Sequence, residues 1–328
     1  MVIALASYYT AFHRPGGGER QLLSTYAELQ TLSELVRLYD TYDQRQWEET
    51  ELIHIFSVCR STELLVNSAL DFGKKIIVSP IHWPLETEIS DESERNRIRH
   101  ILLSSDLILT NSHEESRRLI SFYCLDGFDR FRPIPNGVDG EFLAHSGSYC
   151  PRDDRNQNRI RVLFCGYADN RKNLEMLAGV CSDLGAELLI AGSARSQRII
   201  EQLSASYGNI TFLGEYVPGS AVHYNILSSA DVFCLPSLYE TPGLAALEAA
   251  IYGLPVAITR EGSTLEYFGD KVSYCNPYDR ESVRQSILAA FAQVRTSTEA
   301  SYDLFKEFNW SAAAAKTLSC YRLLLGKA

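Results

Sequence analysis

Residues 231–259 read DVFCLPSLYETPGLAALEAAIYGLPVAIT. The pattern is strand, loop, helix, strand. Residues 232–235 are a short apolar run that Pro236 stops. The loop 237–242 feeds a helix whose apolar face carries Leu244, Leu247 and Ile251, and Gly253-Leu254-Pro255 breaks it. Residues 256–258 open the next buried strand, so the segment is one β-α-β unit of a parallel sheet. Such a unit sets the start of its helix at the carboxyl edge of the sheet, where open α/β sheets bind ligands. Glu240 lies in the loop and Glu248 inside the helix. Between them, Gly243 lets the backbone approach a ligand, and the first-turn amides can hold an anion. Two carboxylates at this spacing occur by chance in many acidic helices, so the spacing alone assigns them no role.

Outward from this unit the chain alternates in the same way. Strand patterns fall at 2–6, 35–39, 52–56, 75–79, 106–110 and 131–134, with helical patterns between them, as at 62–72 and 112–123. The polar, turn-rich stretch HSGSYCPRDDRNQN at 145–158 interrupts the series, and strands resume at 161–165, 188–191 and 210–213. Repeated β-α units imply doubly wound parallel sheets. The expected division is a first domain at 1–144, a linker at 145–158, a second domain at 159–308, and a capped amphipathic tail helix from 309 to 328.

The 328 residues suffice for two medium domains, and 45% hydrophobic and 22% charged residues are ordinary for a globular protein. The formal net charge is −10, with most of the excess before residue 150. An acidic chain disfavours nucleic acid as a partner. No apolar run reaches the roughly 18 residues of a membrane span. The opening MVIALASYYTAFHRPGG reads as a core strand and loop, without the basic leader of a signal peptide. Eight scattered cysteines without a C-x-x-C pair suit buried free thiols in a reducing cytoplasm. Arginines at 95, 97, 99, 117 and 118 leave two readings, a solvated helix face or a surface that touches a membrane peripherally.

Several loops at strand ends carry candidate chemistry. Gly16-Gly17-Gly18 lies between the first strand and a helix running to about residue 30, where backbone amides can take a phosphate; the alternative is a flexible loop tip. His82, in SPIHWP after the strand at 75–79, is either a packed loop residue or a site group. Gly166 ends the strand at 161–165, and Arg171 and Lys172 stand at the mouth of the next helix. Two cations there can clamp a diphosphate, or they are ordinary surface charge. No Asp-x-Asp is placed to bind a divalent metal, so no metal ligands are assigned. Asn136-Gly137 reads as a tight turn.

Pro236-Ser237, Glu240, Gly243-Leu244, Glu248 and Gly253-Leu254-Pro255-Val256 match, in order and spacing, a signature of the retaining glycosyltransferases of family GT4. The chain resembles that family elsewhere too: Gly16 to Arg20 after the first strand, Pro135-Asn136-Gly137-Val138-Asp139, Gly166 with Lys172-Asn173, and the Trp310 segment near the end. It departs at Thr241-Pro242, where Gly-Phe is commoner, at Ala245, where Pro is commoner, and at Tyr167, where the family has an arginine. The resemblance implies the GT-B fold, two Rossmann-like domains across a cleft, with the last helix crossing back to the first. It implies transfer of a sugar from a UDP- or GDP-linked sugar to a glycan or lipid-linked acceptor, with no further cofactor. Lys172, with Arg171 standing in for the missing arginine, would hold the diphosphate along with Gly16, Gly17, Gly18, Gly166 and the amides at Thr241, Gly243 and Leu244. Glu240 and His82 would bond the donor sugar, Glu248 the ribose, and the backbone around Gly192 and Tyr216 the base. The family habit points to surface polysaccharide or lipid-linked glycan assembly in the cytoplasm, at the inner membrane face. Two alternatives stay open: a nucleotide-sugar epimerase or phosphorylase on this architecture, and a non-catalytic binding subunit, which the change at Tyr167 favours.

Overall fold

The computed structural model describes residues 2–13, 16–32, 35–43, 45–85, 91–146, 159–193, 197–293 and 298–326. They fall into two compact units, Met1–Gly137 with Trp310–Ala328, and Val138–Asn309. The first holds six strands: β1 (Val2–Ala6), β2 (Leu35–Leu38), β3 (Leu52–Phe56), β4 (Lys75–Ser79), β5 (Leu107–Thr110) and β6 (Phe131–Pro133). They form one parallel sheet in the order β2-β1-β3-β4-β5-β6. The second holds β7 (Arg161–Cys165), β8 (Glu187–Ala191), β9 (Ile210–Gly214), β10 (Val232–Leu235), β11 (Val256–Thr259) and β12 (Ser273–Cys275), parallel in the order β12-β11-β10-β7-β8-β9. Renumbered within the unit, that is the 3-2-1-4-5-6 order of a dinucleotide-binding sheet.

The continuous apolar runs explain the parallel sheets. Every residue of β3, β5, β10 and β11 is buried, as expected of strands covered by helices on both faces. The Leu244–Tyr252 helix departs from its expected one-sided stripe. Residues 246–252 are all buried while Leu244 is half-buried. Besides β10 and β11, this helix meets the Gly140–Ala144 and Thr298–Glu307 helices, and its alanines let those neighbours pack closely. Gly253 closes it in the left-handed conformation at φ +96°.

Two expectations need correction. The first unit does not run to residue 144. The Gly140–Ala144 helix buries Phe142 completely in the core of the second unit, so the chain passes over at Gly137–Val138. Val138 pairs with Asn309 and donates its N–H to the Phe308 carbonyl at 3.1 Å, so the chain enters and leaves the second unit at adjacent positions. Of the expected linker, 147–158 lies outside the described residues. Asn136-Gly137 forms no tight turn. Asn136 is 4% exposed, and its amide donates to Gln21 Oε1 at 3.2 Å, so burial of a hydrogen-bonded side chain fixes it. The Trp310–Leu324 helix packs on the Gly17–Thr31 helix of the first unit, and Tyr321 Oη lies 2.6 Å from His54 Nδ1. Among the described residues no helix is long and apolar enough to cross a membrane, and the cysteines are free thiols, with Cys165, Cys181, Cys234 and Cys275 buried.

Candidate active site

In the second sheet the winding reverses between β7 and β10, which are hydrogen-bonded neighbours. A crevice forms at such a reversal because the connections on either side leave in opposite directions. Here it juxtaposes the loop that follows Cys165 with the loop that follows Leu235. Backbone and side-chain bonds fasten the two. Asn173, left-handed at φ +56°, donates its side-chain amide to the carbonyls of Pro236 (3.1 Å) and Pro277 (2.8 Å). Leu238 N–H donates to the Arg171 carbonyl at 2.8 Å. Asp169 caps the short turn Asn170–Lys172 by accepting from Lys172 N–H at 3.0 Å.

This frame brings Lys172 Nζ to 2.6 Å from Glu240 Oε1, with the two side chains 17% and 7% exposed. Glu240 itself cannot shift easily. Its N–H donates to the Glu261 carbonyl at 3.1 Å and its carbonyl accepts from Ser263 at 2.8 Å. A Cβ at Gly262, where φ is +100°, would sit 2.0 Å from the Glu240 carbonyl oxygen, so glycine is required there. Thr241-Pro242 is a cis peptide, and Gly243 begins the Leu244–Tyr252 helix. The guanidinium of Arg171 lies over Tyr239, 5.3 Å from the ring centroid, and 3.7 Å from Asp169 Oδ2. Burial opposes its charge, but a hydrogen bond with Tyr239 and the carboxylates of Glu240 and Asp169 outweigh that and raise its pKa. Arg171, Lys172 and Glu240 thus gather at the switch point, with Thr241, Gly243 and Leu244 beside them.

The neighbouring strand ends are interlocked through glycine. Gly166 N–H donates to Ala191 at 2.9 Å and Gly192 N–H to Gly214 at 3.0 Å. A Cβ on Gly192 would lie 2.0 Å from the Gly166 carbonyl oxygen. Glu248 belongs to a second buried cluster. It is 1% exposed, with Oε2 at 4.0 Å from His223 Nε2. His223 is fully buried and stacks on Tyr216 at 4.3 Å between centroids, while Gly219 N–H donates to its Nδ1 at 3.3 Å. Tyr216 also bonds the Cys165 thiol, which burial pushes up to about 12. Sequence reasoning missed His223, because a lone histidine in the apolar Ala221–Ser228 helix carries no motif.

In the first unit Gly16 caps the Gly17–Thr31 helix, but its amide donates to Glu19 Oε2 at 2.7 Å, and Tyr8 donates to Glu19 Oε1 at 2.6 Å. Gly18 faces Ile81, which stands at φ +49°, strained for a β-branched residue. The next residue, His82, donates its N–H to Glu115 Oε1 at 2.9 Å, and its Nε2 is 2.8 Å from Tyr123 Oη. Burial lowers its pKa to about 4, so the ring is neutral at pH 7. The candidate basic surface is engaged within the unit: Arg97 with Glu63 and Glu94, Arg95 over Phe122, Arg99 on the Tyr123 carbonyl, Arg117 with Glu114, and Arg118 on the Pro84 carbonyl. A small polar cavity bordered by Gln21, His54, Ser79, Asn136, Trp310 and Thr317 holds none of the expected site residues.

Residues 159–293 match the family model described as glycosyl transferases group 1. The O-antigen chain mannosyltransferase B of Escherichia coli is 32% identical over 253 residues, 70% of this chain and 66% of that protein. The chain belongs to the glycosyl transferases group 1 family. The matches to the first three curated relatives span 45%, 66% and 54% of their lengths. Among solved structures, a sucrose-phosphate synthase from Thermosynechococcus elongatus superposes with a TM-score of 0.81 over 100% of both chains at 22% identity. HepE from Anabaena, in complex with UDP-glucose, gives 0.75 over 98% of this chain and 100% of that one at 16% identity. At these identities the likeness establishes the fold, which is GT-B.

Proposed function

We propose that this group 1 family member is a retaining glycosyltransferase of the GT4 type. It moves a sugar from a UDP- or GDP-linked donor to a hydroxyl of a glycan or lipid-linked acceptor in surface polysaccharide or lipid-linked glycan assembly. The observation that carries this reading is the part-buried Lys172–Glu240 pair at the topological switch point, 2.6 Å apart, where a cation and a sugar-binding carboxylate serve adjoining parts of one donor. The complex of HepE with UDP-glucose and the mannosyltransferase relative support a nucleotide sugar.

As the bond from the anomeric carbon to the leaving phosphate oxygen breaks, negative charge grows on the diphosphate. Lys172, Arg171 and the amides that open the Leu244–Tyr252 helix stabilise it, and such preorganised charge usually accelerates a reaction more than any other single effect. The acceptor oxygen bonds the anomeric carbon on the same face, and its proton passes to the departing phosphate oxygen. Glu240 accepts hydrogen bonds from the donor sugar, Glu248 from the ribose, and the neutral ring of His82 bonds a further sugar hydroxyl. Backbone groups near Gly16, Gly17, Gly18, Gly166, Gly192 and Tyr216 complete the contacts to phosphates and base.

A thermal-shift screen of UDP, GDP, ADP and their sugars, followed by product analysis with a panel of glycoside acceptors, tests this. Bound donor raises apparent stability by mass action, and an α-linked product from an α-linked donor is expected. A stabilising nucleotide with no turnover across the panel would favour the binding subunit, the reading that Tyr167 supports. Donor consumption without acceptor, or with inorganic phosphate, would favour an epimerase or a phosphorylase.

A further inference from the structure

Resting on that donor-site reading, we infer that the Lys172–Glu240 pair makes recognition of the sugar conditional on the diphosphate. The two groups assigned to different parts of the donor are bonded to each other, Nζ to Oε1 at 2.6 Å, with side chains 17% and 7% exposed. At such burial a charge that loses its partner is strongly penalised. A free sugar offers hydroxyls alone, and these cannot replace a full opposite charge at either member. A diphosphate can, because its oxygens accept charge-assisted hydrogen bonds from the ammonium. Once Lys172 turns to phosphate, Oε1 of Glu240 is released to accept from sugar hydroxyls.

The geometry also fixes which partner moves. A Cβ at Gly243 would lie 3.4 Å from both Cγ and Oε2 of Glu240, so the carboxylate stem is wedged against that backbone. Its main chain is pinned on both sides by Glu261 and Ser263. Lys172 is pinned at its backbone by Asp169, yet its ammonium rides on a flexible four-carbon stem. Lys172 swings and Glu240 stays. The site therefore rejects uncharged monosaccharides, and the carboxylate lowers diphosphate affinity by competing for the lysine.

Calorimetric titrations of the full chain with inorganic pyrophosphate, UDP, GDP and ADP test this on wild type, Glu240→Gln, Lys172→Met and the double variant. Lys172→Met is expected to lose binding; if it retains wild-type affinity, the donor-site reading itself fails. The near-isosteric Glu240→Gln is expected to bind the preferred nucleoside diphosphate about five- to twenty-fold more tightly, and that gain is expected to vanish in the Lys172→Met background. Unchanged affinity in Glu240→Gln, with loss in Lys172→Met, overturns the inference while sparing the donor-site reading. A gain that persists without the lysine assigns the effect to plain repulsion by Glu240 and also overturns it. Glucose and mannose titrated into wild type should bind only with the nucleoside diphosphate present; equal binding without it sinks the proposal. Should either single variant melt below the assay temperature, the double variant, which removes both charges together, is paired with the sugar titration of wild type to keep the test decisive.

Discussion

In the first unit, carboxylates near the strand ends are occupied by their own surroundings. Glu19 binds the Gly16 amide and the Tyr8 hydroxyl, and Glu115 binds the amides of His82 and Asn111, the latter at 2.6 Å. In the second unit the carboxylate at the switch point has as its partner an ammonium on a flexible side chain, Lys172. Backbone amides cannot leave a carboxylate without unfolding a loop, whereas an ammonium on a flexible stem can be drawn off by a competing anion. The same residue type is scaffold in one sheet and, on the reading proposed above, an exchangeable binding group in the other. The substitutions that follow are aimed at that difference.

The largest effect is expected at Lys172. Lys172→Ala should lower turnover by about 10²- to 10³-fold, the range for loss of one preorganised group at a developing anion. Steady-state kinetics with the preferred donor measure it, and a wild-type rate would remove the clamp. Next is Glu115→Ala in the first unit, which strips the buried amide of Asn111 and the part-buried amide of His82 of their acceptor and should cost about 2–4 kcal/mol. All three tryptophans, Trp47, Trp83 and Trp310, lie in the first unit, so urea unfolding followed by fluorescence reports that unit directly. Nucleotide affinity should stay at the wild-type value; parallel loss of both would erase the distinction between scaffold and site.

Acid should affect the first unit in a defined direction. Burial lowers His54 from its ordinary value to about 3 and His82 to about 4. Between the unfolded value near 6.5 and those folded values, the unfolded state binds protons that the folded state does not, so stability falls as pH falls. His54 alone contributes a slope of about 1.4 kcal/mol per pH unit across that window. Tryptophan-detected unfolding at pH 7, 6 and 5 measures this, and His54→Gln should flatten part of the slope. An unchanged slope in that variant would place the acid sensitivity elsewhere.

The strands other than β12 (Ser273–Cys275), which the sequence reading did not include, were legible to within about a residue of where they form, because strands buried on both faces leave unbroken apolar runs that proline and glycine punctuate. Pro236 ends β10, and Gly253-Leu254-Pro255 separates the Leu244–Tyr252 helix from β11. The Lys172–Glu240 juxtaposition was legible only through resemblance. The residues lie far apart in sequence, and the reversal between β7 and β10 that joins them is a property of strand order, which no local pattern encodes. Asn136 was misread because Asn-Gly favours turns only when the backbone is at liberty, and its side chain is instead committed to Gln21. The role of Glu115 had a partial signal. Ser112 and Glu115 form the spacing of a capping box, and Ser112 does accept from Glu115 N–H at 2.9 Å, but the carboxylate reaches past the cap to Asn111 and His82. The division near residue 144 failed because the short Gly140–Ala144 helix looks like an appendage until Phe142 is seen to fill the second core.

The smallest expected effect isolates what gives the site pair its weight. Arg117 and Glu114 form an ion pair one helical turn apart in the first unit, with side chains 70% and 42% exposed. Their contact is as close as that of Lys172 and Glu240, so any difference in energetic consequence comes from solvent and not from distance. Water screens exposed charges, and holding two long side chains together costs conformational entropy, which leaves such pairs worth under about 0.5 kcal/mol. Arg117→Ala should therefore change the unfolding free energy read from the fluorescence-detected urea transition by no more than that, at low salt and at 0.5 M salt alike. A loss of several kcal/mol would mean that contact distance alone sets the strength of pairs in this protein. The case for treating the part-buried Lys172–Glu240 pair as an exchangeable donor-binding device would then lose its physical basis.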